Sequence, residues 1–212
     1  MQYYLFDFDG TLVDSMPTFS SVMKGILIEH GIAFSEDLIK IITPLGYHDT
    51  AVYFRQLGVP LEKDDILKCM RERMVDAYTH LVPAKSNVIM VLQQLKQRGC
   101  SLNVLTASPH STMDPCLNRL GISSLFDHIW SCEDFGMNKA NPNIYCQAAQ
   151  LIGVPVEAVL FLDDNPNADK AAREAGMKVC GVYDEFTAEF ESEMRRENDY
   201  YIVDFKELLL ID

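Results

Sequence analysis

Basic residues are scarce in this chain. Eighteen lysines and arginines stand against 31 aspartates and glutamates, a formal net charge of −13. That balance argues against nucleic acid or an anionic membrane as a partner, because both call for a positive surface. A phosphate-bearing small molecule stays open, since a site can be locally positive on an acidic protein. Long apolar runs are missing too, and none approaches the length that spans a bilayer. The N-terminus has neither a basic region nor a long apolar stretch, so no signal peptide is expected. The six cysteines (Cys69, Cys100, Cys116, Cys132, Cys146 and Cys180) form no C-x-x-C pair and no Cys/His metal spacing. Most lie in apolar surroundings, the expectation for reduced core thiols of a cytoplasmic protein. Repeats and low-complexity linkers are absent. What the chain does have is 48% hydrophobic residues over 212 positions, enough for one medium domain or a domain plus a small insert.

Strand-like runs recur at Tyr3–Phe6 and at residues 102–105, 128–130, 159–162 and 179–182. Helical patterns over 86–98, 111–120, 143–152 and 167–175 lie between the later ones, and Gly99, Gly121, Gly153 and Gly176 stand where left-handed caps would end them. This alternation predicts an α/β fold, a parallel sheet with helices on both faces. Between the first two strands, residues 16–82 carry no strand signal. Helices are expected there over 18–29 (Phe19, Val22, Met23, Ile26 and Leu27 on one stripe), 35–42 (stopped near Pro44), 48–57 and 62–79. The simplest account is a core of residues 1–15 and 83–212 with an all-α insert over 16–82, hinged at 14–17 and 81–84. The tail is expected to form a solvated helix over 184–199, an edge strand over 200–203 and a last helix over 204–210. Trp130 reads as core.

Four polar spots fall at or just after predicted strand ends, the edge where open α/β sheets bind ligands. Asp7 and Asp9, in Asp7-Phe8-Asp9-Gly10-Thr11, follow the first strand and share a face of an extended chain. Like charges so close repel, and a divalent cation or a shared proton offsets that cost. Thr106 closes the second strand. Lys139 lies in Met137-Asn138-Lys139-Ala140-Asn141-Pro142, and Asp163-Asp164-Asn165 closes the fourth. Taken singly, each is a turn, a helix cap or a surface charge. Jointly they put a nucleophile, a second carboxylate, a hydroxyl, a cation and an acidic pair on one edge of one sheet, which favours phosphoryl chemistry on a carboxylate.

This set resembles the haloacid dehalogenase superfamily, specifically its helical-capped phosphatases of the phosphoglycolate phosphatase and β-phosphoglucomutase kind. The resemblance runs over essentially the whole chain and includes the place of the insert. One departure is Ala140 where the family often has proline after the lysine. The resemblance implies a Rossmann-like core with a helical cap, and a Mg²⁺-dependent phosphatase acting on a small phosphorylated metabolite. Asp7 would attack phosphorus to give an aspartyl-phosphate. Asp9 would protonate the leaving group and then activate water. Asp7, Asp164, the Asp9 carbonyl and Asp163, directly or through water, would hold the ion. Thr106 and Lys139 would bind the transferring phosphoryl oxygens, with Gly10, Thr11, Ala107 and Ser108 as further substrate contacts.

Within that superfamily Asp9 argues against the dehalogenases, whose halide leaves without a proton. Phosphonate hydrolases use a cap lysine, and Lys24 and Lys40 are more simply solvated. Mutases resembling this chain carry a cap histidine about where Phe19 stands, and often valine in place of Thr11. A β-phosphoglucomutase-like mutase or a silent phosphate-binding module are the alternatives; a receiver domain would be shorter and place its phosphorylated aspartate later. The cap is expected to set specificity, with Tyr47 and His48 in a loop over 44–49 as candidate selectors, though Tyr47 as readily packs on the cap and His48 as readily starts the next helix. Arg55 and Arg71 are more simply exposed helix arginines than contacts for a substrate carboxylate. His110, after the Thr106 loop, is as readily a helix cap as a site residue. A monomer or weak homodimer is expected.

Overall fold

The computed structural model describes residues 2–211 and divides into two compact units, residues 1–14 with 83–212 and residues 15–82. In chain order the elements are β1 (Tyr3–Phe6), α1 (Met16–Glu29), α2 (Leu38–Ile42), α3 (Gly46–Gln56), α4 (Lys63–His80), α5 (Val88–Gln97), β2 (Ser101–Thr106), α6 (His110–Arg119), β3 (His128–Ser131), α7 (Cys132–Phe135), α8 (Asn143–Ile152), β4 (Val159–Asp163), α9 (Pro166–Ala175), β5 (Lys178–Val182), α10 (Glu191–Glu197) and β6 (Tyr200–Ile202), with short 3₁₀ turns between them.

The first unit is an α/β fold around a six-stranded sheet of order β3-β2-β1-β4-β5-β6, every pairing parallel. The central strands are apolar on both faces, as a sheet covered on both sides requires. Tyr4, Leu5 and Phe6 of β1 are buried, as are Leu160, Phe161 and Leu162 of β4. One core layer joins Leu5, Phe161 and Val179 of the sheet to Ile144, Tyr145 and Ala148 of α8 and Ala168, Ala171 and Ala172 of α9. Small alanines let α9 lie close to the sheet, and α8 and α9 both end on left-handed glycines, Gly153 and Gly176. Because β1 sits between β2 and β4, chain connections leave it in opposite directions. The C-terminal ends of β1, β2 and β4 therefore border one crevice, the switch point of a doubly wound sheet.

The second unit is all helical. Met23, Ile26 and Leu27 of α1, Leu38 and Ile42 of α2, Phe54 of α3 and Ile66, Met70 and Met74 of α4 are among its buried side chains. Arg73 of α4 donates to both carboxylate oxygens of Glu29 at the end of α1, at 2.8 and 2.6 Å.

Several local expectations change. The second insert helix is short, starting at Leu38, and the chain passes through a 3₁₀ turn at Thr43–Leu45 straight into α3. The 44–49 loop is thus largely helical: Gly46 supplies a positive φ of 66° that redirects the chain without a spacer. The tail expected as one helix over 184–199 is a 3₁₀ stretch at Glu185–Phe190 followed by the short α10, and the last segment, Phe205–Leu210, is also 3₁₀. Trp130 is half-buried: it packs against the core cluster at its margin and stacks on His128. Four cysteines are buried, Cys69 is half-buried and Cys146 is exposed; all six are free. No helix among the described residues is long and apolar enough to cross a membrane.

Leu5 lies at the centre of the sheet with no exposure. Leu5→Ala is expected to cost about 2–5 kcal/mol of folding stability through lost burial and a residual cavity, measured by urea unfolding; a change below ~1 kcal/mol would show the strand repacks freely.

Candidate active site

The sheet register assembles the acidic cluster. Phe6 pairs with Leu162, and the Asp7 amide continues the ladder by donating to the Leu162 carbonyl at 2.8 Å, which sets Asp7 beside the end of β4. Asp163 closes β4 and Asp164 follows it. Oxygens of Asp7, Asp163 and Asp164 can all be chosen within 4.8 Å of one another, and all three residues are buried. Lys139 reaches into the same place from the loop after α7. Its ammonium pairs with Asp7 Oδ1 and donates to Asp163 Oδ2 at 2.7 Å.

Three carboxylates facing one ammonium leave excess negative charge in a dehydrated pocket. Burial raises the proton affinity of Asp7, with Asp163 and Asp9 adding to the rise and Lys139 opposing it. Burial does the same to Asp164, reinforced by Asp163, Asp7 and Asp184. At Lys139 burial works against the charge, but Asp163 and Asp7 more than offset it and hold the ammonium protonated. An all-oxygen donor set carrying surplus negative charge is a fit for a hard divalent cation. Asp163 is the most occupied of the three: Lys139 takes Oδ2 and the Asn165 amide donates to Oδ1 at 2.7 Å.

The Asp-x-Asp-Gly-Thr segment forms a tight turn. Leu12 and Val13 amides donate to the Phe8 carbonyl, and the Gly10 amide to the Val13 carbonyl. Gly10 is required twice over, by its φ of +78° and by space: a Cβ there would sit 2.6 Å from the Asp164 carboxylate. Thr11 donates to Asp164 Oδ1 at 3.3 Å. Asp9 stays half-buried and accepts from the Ser108 hydroxyl at 2.5 Å, a contact that ties the turn to the loop after β2. Thr106 is buried at the β2 terminus, its hydroxyl accepting from the Ser108 amide at 3.0 Å, while Ala107 is exposed beside it. Tyr47 and His48 fall in the helical unit, on the first turn of α3. There His48 is exposed, with Asp49 at 3.0 Å from Nδ1 and Lys63 at 3.1 Å from Nε2.

Other neighbours were not apparent from the sequence. The Tyr145 hydroxyl lies 2.9 and 3.1 Å from the Lys139 and Ala168 carbonyls, its one proton shared between them, and so ties the lysine loop to α9. Lys85 donates to the Gly10 carbonyl, the Tyr183 carbonyl and Asp184 Oδ2. Neither carries a motif; a lone tyrosine in an apolar helix reads as core, and a lone lysine before a helix reads as surface. His110 acts as a strut, with Asp114 at 3.0 Å on one ring nitrogen and Asp134 at 2.9 Å on the other. Those two hydrogen-bonded carboxylates raise its proton affinity.

A doubly wound parallel sheet with an aspartate pair, a lysine and an acidic turn at its switch point defines a class of α/β hydrolases. The haloacid dehalogenase-like hydrolase family matches residues 4–182, and the chain belongs to that family. It is 28% identical over 185 residues to the candidate phosphatase YhcW of Bacillus subtilis, covering 86% of this chain and 84% of that one. It is 29% identical over 189 residues to the phosphoglycolate phosphatase of Pasteurella multocida, covering 84% and 83%. Among solved structures, a candidate β-phosphoglucomutase from Thermotoga maritima shares the fold with a TM-score of 0.85 at 21% identity, over 99% of this chain and 97% of that one. The chain is thus an enzyme of this hydrolase family.

Gly10→Ala forces both a left-handed alanine and a contact with Asp164. A loss of at least ~1 kcal/mol is expected from the backbone alone, read by chemical denaturation; undiminished stability would mean the turn has room the geometry denies.

Proposed function

We propose that this enzyme is a Mg²⁺-dependent phosphatase that hydrolyses small phosphate monoesters through an aspartyl-phosphate. The observation that carries the reading is the buried Asp7–Lys139–Asp163–Asp164 cluster with Asp9 two residues beyond Asp7. Relatives named as phosphatases of phosphoglycolate and of phosphorylated carbohydrates support the same substrate class.

Asp7 is the nucleophile. Its carboxylate oxygen attacks phosphorus while the bond to the leaving oxygen breaks, which divides one hard displacement into two easier ones. Lys139, paired with Asp7 Oδ1, favours the ionised form that attack requires. Asp9, protonated, gives its proton to the departing alkoxide. As a carboxylate it then takes a proton from water, whose oxygen attacks the same phosphorus and frees Asp7 as the Asp7–phosphorus linkage breaks. Ser108, donating to Asp9, orients that carboxyl group. Lys139, Thr106 and the backbone amides of Thr11 and Ala107 bind the equatorial phosphoryl oxygens, where charge is stabilised in the transition state; the Gly10 amide and the Ser108 hydroxyl are already committed to the Val13 carbonyl and to Asp9. Asp7, Asp164 and the Asp9 carbonyl would hold the metal ion, with Asp163, both of its oxygens already accepting hydrogen bonds, acting through water. Mg²⁺ bound there would supply positive charge that offsets the repulsion between Asp7 and an anionic phosphate.

With p-nitrophenyl phosphate and Mg²⁺, Asp7→Asn is expected to abolish turnover, and substantial remaining phosphate release would remove the nucleophile assignment. On an alkyl ester such as glycerol phosphate, whose leaving alkoxide needs the acid, Asp9→Ala is expected to lower the steady-state rate by roughly 10²–10⁴; a wild-type rate there would exclude proton transfer by Asp9. Chelation with EDTA should silence the enzyme and excess Mg²⁺ restore it, whereas full activity in chelator would eliminate the metal.

A further inference from the structure

We infer that Lys85 is a positioning residue for the Asp9-Gly10-Thr11 turn. Its ammonium holds the Gly10 carbonyl so that Asp9 stays aligned for proton transfer to the leaving group. The inference rests on the reading of Asp9 as the acid and base.

The argument begins with Gly10. Only glycine fits there, because of its positive φ and because a Cβ would meet Asp164 at 2.6 Å. Yet glycine is also the residue with the greatest backbone freedom, and here it stands between the acid/base group and Thr11. The turn's other bonds fix Phe8, Leu12 and Val13 and the amide side of Gly10. The Gly10 carbonyl is taken by the Lys85 ammonium at 2.6 Å. The same ammonium donates to the Tyr183 carbonyl at 2.6 Å and to Asp184 Oδ2 at 2.9 Å, so its three protons meet three acceptors. It is therefore tethered to the segment after β5 and cannot swing with the turn.

Lys85 is itself well anchored. Its amide donates to the Leu12 carbonyl at 3.0 Å, Ala84 bridges Val13, and the Asp14 amide donates to the Pro83 carbonyl. The chain leaving the turn and the chain returning at residues 83–85 thus run together as a short ribbon. Asp184 is buried, and its other oxygen accepts from the Phe186 amide at 2.9 Å. Lys85 also gives that carboxylate a counter-charge, which leaves two separable roles: anchoring a carbonyl and neutralising Asp184.

The leaving group distinguishes alignment of Asp9 from a general structural role. A poor leaving group such as an alkoxide depends on the acid, while p-nitrophenolate departs with little help. Lys85→Met should lower kcat/KM for glycerol phosphate by roughly 10–100-fold and for p-nitrophenyl phosphate by clearly less. Asp184→Asn, which removes the ion pair but leaves the Gly10 carbonyl to the ammonium, should keep the wild-type ratio between the two esters. If Lys85→Met does not fold, Lys85→Gln, a shorter neutral donor, carries the same comparison. Equal losses on both esters, no loss, or a ratio shifted as much by Asp184→Asn would overturn the inference while leaving the proposed function standing. Wild-type protein that hydrolyses neither ester overturns the functional reading, and this inference with it.

Discussion

Three carboxylates and one ammonium are buried together where β1 and β4 end, and the cost of that burial shapes much of what surrounds them. Carboxylates taken out of water favour their neutral form unless positive charge or hydrogen-bond donors compensate. Lys139 compensates in part, pairing with Asp7 and Asp163 at once. The Asn165 amide and the Thr11 hydroxyl supply donors to Asp163 and Asp164. Remaining negative charge is what a divalent cation or an approaching phosphorus centre would meet.

The sheet makes such a cluster possible. Strand β1, buried from Tyr4 to Phe6 and flanked by two parallel strands, fixes the Asp7 backbone through the ladder itself. Strand order then brings residues far apart in sequence, Asp7 and Asp163 among them, to neighbouring strand ends. Lys139 has no strand of its own. Its loop is tied instead by Tyr145, whose ring packs edge-on against Phe161 of β4 while its hydroxyl holds the Lys139 carbonyl. Core packing and site geometry are therefore the same contacts seen from two sides.

Legibility in the sequence followed the same division. Strands β1, β2, β4 and β5 announce themselves as short apolar runs, and the acids stand out because they interrupt those runs at their ends. The helical stretch after β1 was readable from its missing strand signal. Failures came where periodicity is short. A 3₁₀ turn at Thr43–Leu45 and another at Glu185–Phe190 lack enough residues to show a stripe. Trp130, on the edge strand β3, reaches the core cluster only from its margin and stays half-buried. Lys85 and Tyr145 were illegible for a different reason: both act on carbonyls, and a carbonyl is present at every position, so the sequence around the acceptor carries no mark of the donor.

That last point bears on how such turns keep their shape. Gly10 must be glycine to admit the Asp164 carboxylate, so the turn cannot draw rigidity from its own side chains. Rigidity has to come from outside, and a lysine anchored beyond the insert is well suited to give it. Its ammonium satisfies a carbonyl, a second carbonyl and a buried acid with one charge. An aliphatic residue at that position would leave both Gly10 and Asp184 without this partner, the first gaining freedom and the second an uncompensated charge near Asp164. Asp184 adds to the electrostatic load on Asp164, and the lysine is the counter-charge paired with Asp184. On the proposed reading, alignment of Asp9 and the counter-charge to Asp184 thus depend on the same three hydrogen bonds.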